Sequence, residues 1–273
     1  MLVYDSLIEQ AKSRGMPPTK IRGILREYLQ ILILKELYRT GSGKKLLFTG
    51  GTYLRLVHDH KRFSEDLDFN TNVLSKTEFE NLLKKITAEL KRSDILARVN
   101  FDHRNNIFTA KLLFPDIEKN YNVVSQYSKK EGIMIKVETN NPKWEIKQET
   151  QVISGFGEFY PCMCTDKSAL FADKIDALVK KNRARHLYDI IFMLSNKYPI
   201  DKGVLHTLGI EKDPVQVILE RIESFSGSDL KKQAESLRPF LFDEKEADLV
   251  INAREIIPLL LQKYKKTTYP DKK

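Results

Sequence analysis

Two aspartates separated by a single leucine, Asp66-Leu67-Asp68, are the residues of this chain best suited to chemistry. In extended backbone, side chains alternate between faces. Both carboxylates then point one way, and Leu67 and Phe69 point into a core. Paired carboxylates are hard oxygen ligands for a divalent cation. Upstream, the apolar run Leu46-Leu47-Phe48 leads to a glycine pair, Gly50-Gly51, followed by Thr52 and a helix-like stretch. Glycine lets the backbone approach a phosphate closely, and a helix N-terminus favours anions. Arg62 and Ser64 stand just before the carboxylates. An arginine can clamp phosphate through two N–H groups, and a serine hydroxyl can bond a phosphate oxygen.

Taken singly, each feature has a plainer reading: a solvated loop, a strand-to-helix turn, a surface charge, a turn residue. Together they form the layout of a nucleotidyltransferase site. Asp66 and Asp68 would hold Mg²⁺, with Gly50, Gly51, Thr52, Arg62 and Ser64 around the phosphates of an NTP. The glycine pair is neither a Walker A loop nor a dinucleotide fingerprint. In Ile133-Met-Ile-Lys-Val-Glu138, Lys136 and Glu138 face away from the core, making Glu138 the candidate third metal ligand or base. The alternative is an exposed Lys/Glu strand face. Lys174 lies four residues from both Leu170 and Leu178, on the apolar face of its own helix. A charge there needs a partner, and a triphosphate would serve, unless the side chain snorkels past the helix edge. Asp189 sits in an equally apolar helix and calls for a cation or a cleft, with Arg183 and Arg185 as possible partners or further phosphate or RNA contacts.

Other chemistry-bearing residues carry less. His58-Asp59-His60 lacks the further ligands of a metal phosphohydrolase. His103, His186 and His206 are scattered and read as surface or structural. Cys162 and Cys164 are the only two cysteines. A disulfide between such close neighbours would be strained, and a C-x-C pair cannot complete a zinc site, so a reducing cytoplasm is expected.

The elements that must position these residues follow from periodicity. Residues 5–40 read as helix, broken at Gly15-Met-Pro-Pro18. Strands are expected at 46–48, 66–69, 97–103, 107–114, 133–139 and 144–152, with a tight hairpin at Asn105-Asn106. Helices are expected at 52–60 and 75–91, the second capped by Ser75 or Thr77. Near Pro161 the pattern changes to helices alone, at 166–181, 185–197, 214–226, 228–239 and 244–265, before a basic tail. The expected fold class is α+β: a mixed sheet with helices over residues 1–160, then a helical lobe over 161–273. The 273 residues are 41% hydrophobic and 30% charged, ordinary for a protein with a real core. No apolar run reaches the roughly 18 residues of a membrane span, and the N-terminus lacks the pattern of a signal peptide. A net charge of +9 favours a polyanion such as RNA, the alternative being a lysine-rich solvated surface.

The ordered set Gly-Gly-Thr-x-Leu, Arg-x-Ser-x-Asp-Leu-Asp-Phe, Lys-Val-Glu, a lysine helix and Arg-x-x-Tyr-Asp resembles the AbiEii/AbiGii toxin family, which includes the MenT toxins. The resemblance spans residues 5 to 200. It implies a minimal nucleotidyltransferase fold of the DNA polymerase β superfamily, joined to a helical lobe that completes the active site. It further implies a toxin of a toxin–antitoxin system, with a cognate antitoxin as partner, transferring nucleotides to tRNA acceptor ends. By that likeness Ser64, Asp66, Lys174 and Asp189 map onto catalytic positions, Lys174 also onto nucleotide binding, and Asp68 onto the second motif carboxylate. His186 departs from the pattern, standing where many members carry an acidic residue. The same metal chemistry would also serve a protein acceptor, a two-metal nuclease needs no triphosphate pocket, and a non-catalytic RNA- or partner-binding protein could keep the fold.

Overall fold

A computed structural model describes residues 1–104, 107–123, 132–181 and 183–268. The expected hairpin at Asn105-Asn106 lies outside the described residues. The chain forms two units, one of Met1–Pro142 with Gln148–Thr165 and the other of Lys143–Lys147 with Asp166–Lys273.

In the first unit, helices α1 (Tyr4–Ser13) and α2 (Ile21–Tyr38) flank Pro17 and Pro18. Proline cannot continue a helix because it lacks the N–H and its ring clashes with the preceding turn. Strand β1 (Leu47–Thr49) runs straight into α3 (Gly50–His58). Strand β2 (Leu67–Asn70) precedes α4 (Lys76–Arg92). Ser75 closes a capping box on α4: its hydroxyl accepts from the Glu78 N–H at 3.2 Å, and Glu78 accepts from the Ser75 N–H at 3.0 Å. Strands β3 (Arg98–Phe101) and β4 (Phe108–Phe114), the one-turn α5 (Ile117–Asn120), and strands β5 (Ile133–Asn140), β6 (Gln148–Gly155) and β7 (Glu158–Thr165) complete the unit.

The seven strands form one sheet in the order β3-β4-β5-β2-β1-β7-β6. It is mixed: β2 pairs parallel with β5 and β1 parallel with β7, and the other neighbours are antiparallel. The two chemistry-bearing strands are therefore central. Leu67 and Phe69 are fully buried, as are Ile133, Ile135 and Val137 of β5. Phe48 of β1 lies opposite Phe69 with ring centroids 5.6 Å apart. Each such ring removed from water stabilises the fold by about 1.5–3 kcal/mol.

Three expectations need correction here. The strand carrying the aspartates starts at Leu67, so Asp66 is the last residue of the preceding segment. Strand β7 was not anticipated, and it runs through the boundary expected at residue 160. Pro161 is tolerated inside it because the three-residue β1 meets β7 only around Cys164, leaving Pro161 opposite β6 alone. The strand expected at 144–152 is β6, and it begins four residues later. Cys162 and Cys164 are buried free thiols on β7 with sulfurs 3.4 Å apart.

The second unit is helical: α6 (Lys167–Lys180), α7 (Ala184–Ser195), α8 (Lys202–Thr207), α9 (Pro214–Glu223), α10 (Gly227–Leu237), α11 (Asp248–Ile251) and α12 (Ala253–Thr268). Asp166 caps α6, accepting from the Ser168 N–H at 2.9 Å, and Asp213 caps α9 in the same way. The short α8 was not anticipated. The helix expected over 244–265 is broken into a turn at Glu244–Ala247, α11 and α12, with Asn252 outside helical geometry between the last two. Asparagine competes for backbone hydrogen bonds and is weak inside a helix. Among the described residues no helix is long and apolar enough to cross a membrane.

Candidate active site

The first unit gathers most of the glycine and carboxylate motif into one place. Gly50 leaves β1 at φ +83°, a conformation that favours glycine. A Cβ at Gly50 would lie 2.4 Å from Asp68 Oδ2 and 3.0 Å from Asp68 Cβ. A Cβ at Gly51 would lie 2.6 Å from Arg62 Nη2 and 3.0 Å from Ser64 Oγ. The bare backbone of the turn therefore abuts the Asp68 carboxylate on one side and Arg62 and Ser64 on the other. Antiparallel pairing of Thr49 with Asp68 fixes this approach.

The segment leading to the aspartates is pinned from behind. Fully buried Thr52 donates its hydroxyl to the Asp66 carbonyl. Gln30, 1% exposed on α2, donates to the Ser64 carbonyl at 3.0 Å. Thr52 was expected among the phosphate contacts. It is buried, and its bond holds the Asp66 carbonyl in place. Arg62 was expected there too, yet it is 2% exposed, donates to the Phe63 carbonyl at 3.1 Å, and packs its guanidinium under Gly51. It buttresses the turn from inside.

Behind α3 lies a charged network that the sequence reading missed. Arg55, 1% exposed, donates to Glu27 of α2 at 2.9 Å and to Asp59 at 2.8 Å. Glu27 in turn takes Arg14 at 3.1 Å. A buried pair of this kind adds little net stability, but removing one partner strands the other charge. It ties the helix that starts at the glycine turn to α2.

Glu138 is the parallel-ladder partner of Asp68. Both of its oxygens are engaged: Oε2 accepts from Lys136 at 2.9 Å and Oε1 from Thr109 at 3.2 Å. Lys136 Nζ also lies 3.8 Å from Asp66 Oδ2. Burial works to lower the Lys136 pKa, but the Glu138 bond and the charges of Asp66, Glu138 and Asp68 outweigh it, and the pKa is raised. The ammonium is thus a fixed cation among three carboxylates. Among the described residues no group of three His, Cys, Asp or Glu side chains converges on a cation position. Asp66, Asp68 and Glu138 are neighbours, but they do not close into an all-protein cage. Mg²⁺ seldom uses such a cage. It is commonly held by one or two carboxylates together with substrate phosphates and water. Two hard oxygen donors beside a bare glycine turn fit that mode.

In the second unit Lys174 and Asp189 form an ion pair at 2.8 Å, with side chains 8% and 0% exposed. The partner that each apolar-face charge required is the other one. His186 sits one turn before Asp189, 8% exposed, with neither ring nitrogen hydrogen-bonded. Burial first, and then the Lys174 charge, pull its pKa down to about 3, so the ring is neutral. Of the surface or structural role expected for this histidine, burial removes the surface half and leaves a ring with unmet hydrogen-bonding capacity.

Comparison with known proteins bears on the whole chain. Residues 32–250 match the model of the family described as nucleotidyl transferase AbiEii toxin, Type IV TA system. No curated protein sequence matches the chain. Among solved structures, MenT4, a nucleotidyltransferase toxin from Mycobacterium tuberculosis H37Rv, superposes with a TM-score of 0.59 at 16% identity, covering 97% of this chain and 93% of that one. JHP933 from Helicobacter pylori gives 0.54 at 19% identity, over 90% of this chain and 95% of its own. A putative nucleotidyltransferase from H. pylori gives 0.54 at 19%, over 89% and 96%. At these identities the structures establish a shared fold.

Proposed function

The chain belongs to the AbiEii family of nucleotidyltransferase toxins, and from that premise we propose that it transfers a nucleoside monophosphate from an NTP to the 3′-hydroxyl of an RNA, most simply a tRNA, with Mg²⁺. The observation that carries the site assignment is the contact between the bare Gly50 backbone and the Asp68 carboxylate, 2.4 Å from where a Cβ would stand. Backbone with no side chain lets the carboxylate stand directly against the start of α3, so that a cation ligand and an anion-favouring helix end lie side by side.

In this reading Asp66 and Asp68 hold the Mg²⁺. When bound, the cation supplies charge neutralisation for the triphosphate and a lowered pKa for the attacking hydroxyl. Ser64 and the N–H groups at the start of α3 bind phosphate oxygens. The hydroxyl oxygen attacks the α-phosphorus, its proton passes to a carboxylate of the Asp66, Asp68 and Glu138 group, and the α–β bond breaks with release of pyrophosphate. Glu138 helps by holding Lys136 beside Asp66. Lys174 binds phosphate, and Asp189 orients Lys174. The +9 charge supports an RNA acceptor. A cognate antitoxin is the expected protein partner and the cytoplasm the expected compartment.

The test is incubation of the purified protein with Mg²⁺, total tRNA and each α-labelled NTP in turn, read on a denaturing gel. Label on tRNA with one NTP, lost in Asp66→Asn, is the expected result. Label on protein would move the acceptor class, shortened RNA would make the site a nuclease, and no reaction with intact NTP binding would leave a binding protein.

A further inference from the structure

Helix α7 begins in a setting that has no structural use for its charges. Its N-cap is Arg183, which offers no side-chain oxygen to the first-turn N–H groups. Such a helix end carries roughly half a positive charge. Lys181, Arg183 and Arg185 cluster there, and among the described residues none of them enters an ion pair. Lys181 and Arg183 are exposed and Arg185 half-buried. Asp189 is paired with Lys174, and among the described residues Asp173 of α6 is the one carboxylate seen to act on Lys181, against the three cations of the cluster. The cluster is therefore net positive.

The second observation is His186, in the first turn of α7. Its ring is more than nine-tenths buried, three residues before Asp189 and hence on the same face as the Lys174–Asp189 pair. Both ring nitrogens lack a hydrogen bond. Leaving a buried polar group unsatisfied costs about 1–3 kcal/mol. Buried orphans of this kind are few in native proteins and call for a ligand or an ordered water. A neutral imidazole always has one N–H to donate. At the positive end of a helix and beside an excess of cations, with the His186 backbone N–H already turned back to the Arg183 carbonyl at 3.0 Å, the acceptor the ring suits is an anion.

We infer that the N-terminal turn of α7 is a phosphate-binding site, in which the His186 ring and the backbone N–H groups donate to phosphate oxygens, with Lys181, Arg183 and Arg185 as the cationic rim. The phosphate comes either from the triphosphate of the nucleotide or from the backbone of the RNA acceptor. The inference rests on the transferase reading only for those two sources. Its test needs no turnover, so each can fail without the other.

The experiment measures binding of inorganic tripolyphosphate, by calorimetry, and of a fluorescent tRNA, by anisotropy over a salt series. The full chain is compared with Arg183→Ala/Arg185→Ala, His186→Leu and His186→Gln, each checked for a cooperative thermal transition. Lys231→Ala/Lys232→Ala, on exposed positions of α10, removes the same charge elsewhere. His186→Leu leaves the net charge unchanged, so a loss there cannot come from the general field of the protein.

Weakening of tripolyphosphate binding by about tenfold in His186→Leu and in the arginine pair, with recovery in His186→Gln, assigns the site to the nucleotide. Weakening of tRNA binding by a similar factor assigns it to RNA, with a salt slope reduced by about one per arginine removed. The inference is overturned if His186→Leu binds both probes as the wild type does, or if the arginine pair loses no more than the α10 control. Should His186→Leu fail to fold, His186→Gln and the arginine pair still decide the matter against that control.

Discussion

Replacing Gly50 by alanine separates two effects that the structure allows to be weighed independently. The first is conformational. At φ +83° an L-residue is strained by about 1 kcal/mol relative to glycine. The second is steric. The new Cβ would stand 2.4 Å from Asp68 Oδ2, about 1 Å inside ordinary contact. Asp68 cannot yield far, because it is paired through β2 to both β1 and β5. Either the carboxylate rotates away or the turn opens, and each displaces a group of the proposed site by roughly 1 Å. A misplacement of that size costs on the order of 100-fold in rate. Gly157 supplies the control. It has φ +77° and nothing within 4 Å of its would-be Cβ, so Gly157→Ala carries the strain without the clash. Urea denaturation should show about 1 kcal/mol lost in Gly157→Ala and about 2–3 kcal/mol in Gly50→Ala. The tRNA-labelling assay should show wild-type turnover for the first and a loss of about 100-fold for the second. A folded Gly50→Ala protein that turns over within twofold of wild type would refute the placement of the reaction beside this turn.

Other outcomes follow from the buried charges. Asp189→Ala leaves the Lys174 ammonium 8% exposed without its partner and should cost about 3–5 kcal/mol by urea denaturation. Lys174→Met/Asp189→Leu should restore most of that stability while remaining inactive in the labelling assay, which separates the pair's structural task from the catalytic one proposed for it. His186 provides a pH signature. Its pKa is about 3 in the folded protein against an ordinary 6.5, so between those values the unfolded chain binds the extra proton. Stability from this group is complete above about pH 6.5 and falls as pH drops towards 3, by on the order of 5 kcal/mol. His186→Leu should flatten that part of a pH series of urea midpoints, and an unchanged slope would show that the ring is not held neutral.

How legible the site was depends on the kind of signal each residue leaves. Gly50, Ser64, Asp66 and Asp68 are close in sequence, so their spacing could be read once the strand period was assumed. Lys174 and Asp189 were legible as misfits, charges on apolar helix faces, and the structure resolves the misfit by pairing them. The same rule, applied evenly, would also have flagged Arg55 between Leu54 and Leu56, and Glu27 between buried Ile24 and Ile31. What no local pattern could reveal is which misfit meets which: Arg55 and Glu27 are 28 positions apart, and Gln30 reaches Ser64 across 34. Strand β7 escaped for a related reason. Pro161 reads as a breaker until the shortness of β1 is known, and that is a property of the assembled sheet. Thr52 was read for what a threonine near glycines can do to a phosphate, whereas burial spends its hydroxyl on the Asp66 carbonyl. His186 stood out only as a departure from the family pattern, because a neutral imidazole suits a core or a surface equally well. Its oddity appears only when both ring nitrogens are found buried without partners beside Lys174. A residue's chemistry can be listed from its type, but its role is set by which of its polar atoms the fold leaves unspent, and that distinguishes Thr52, whose hydroxyl is used, from His186, whose ring is not.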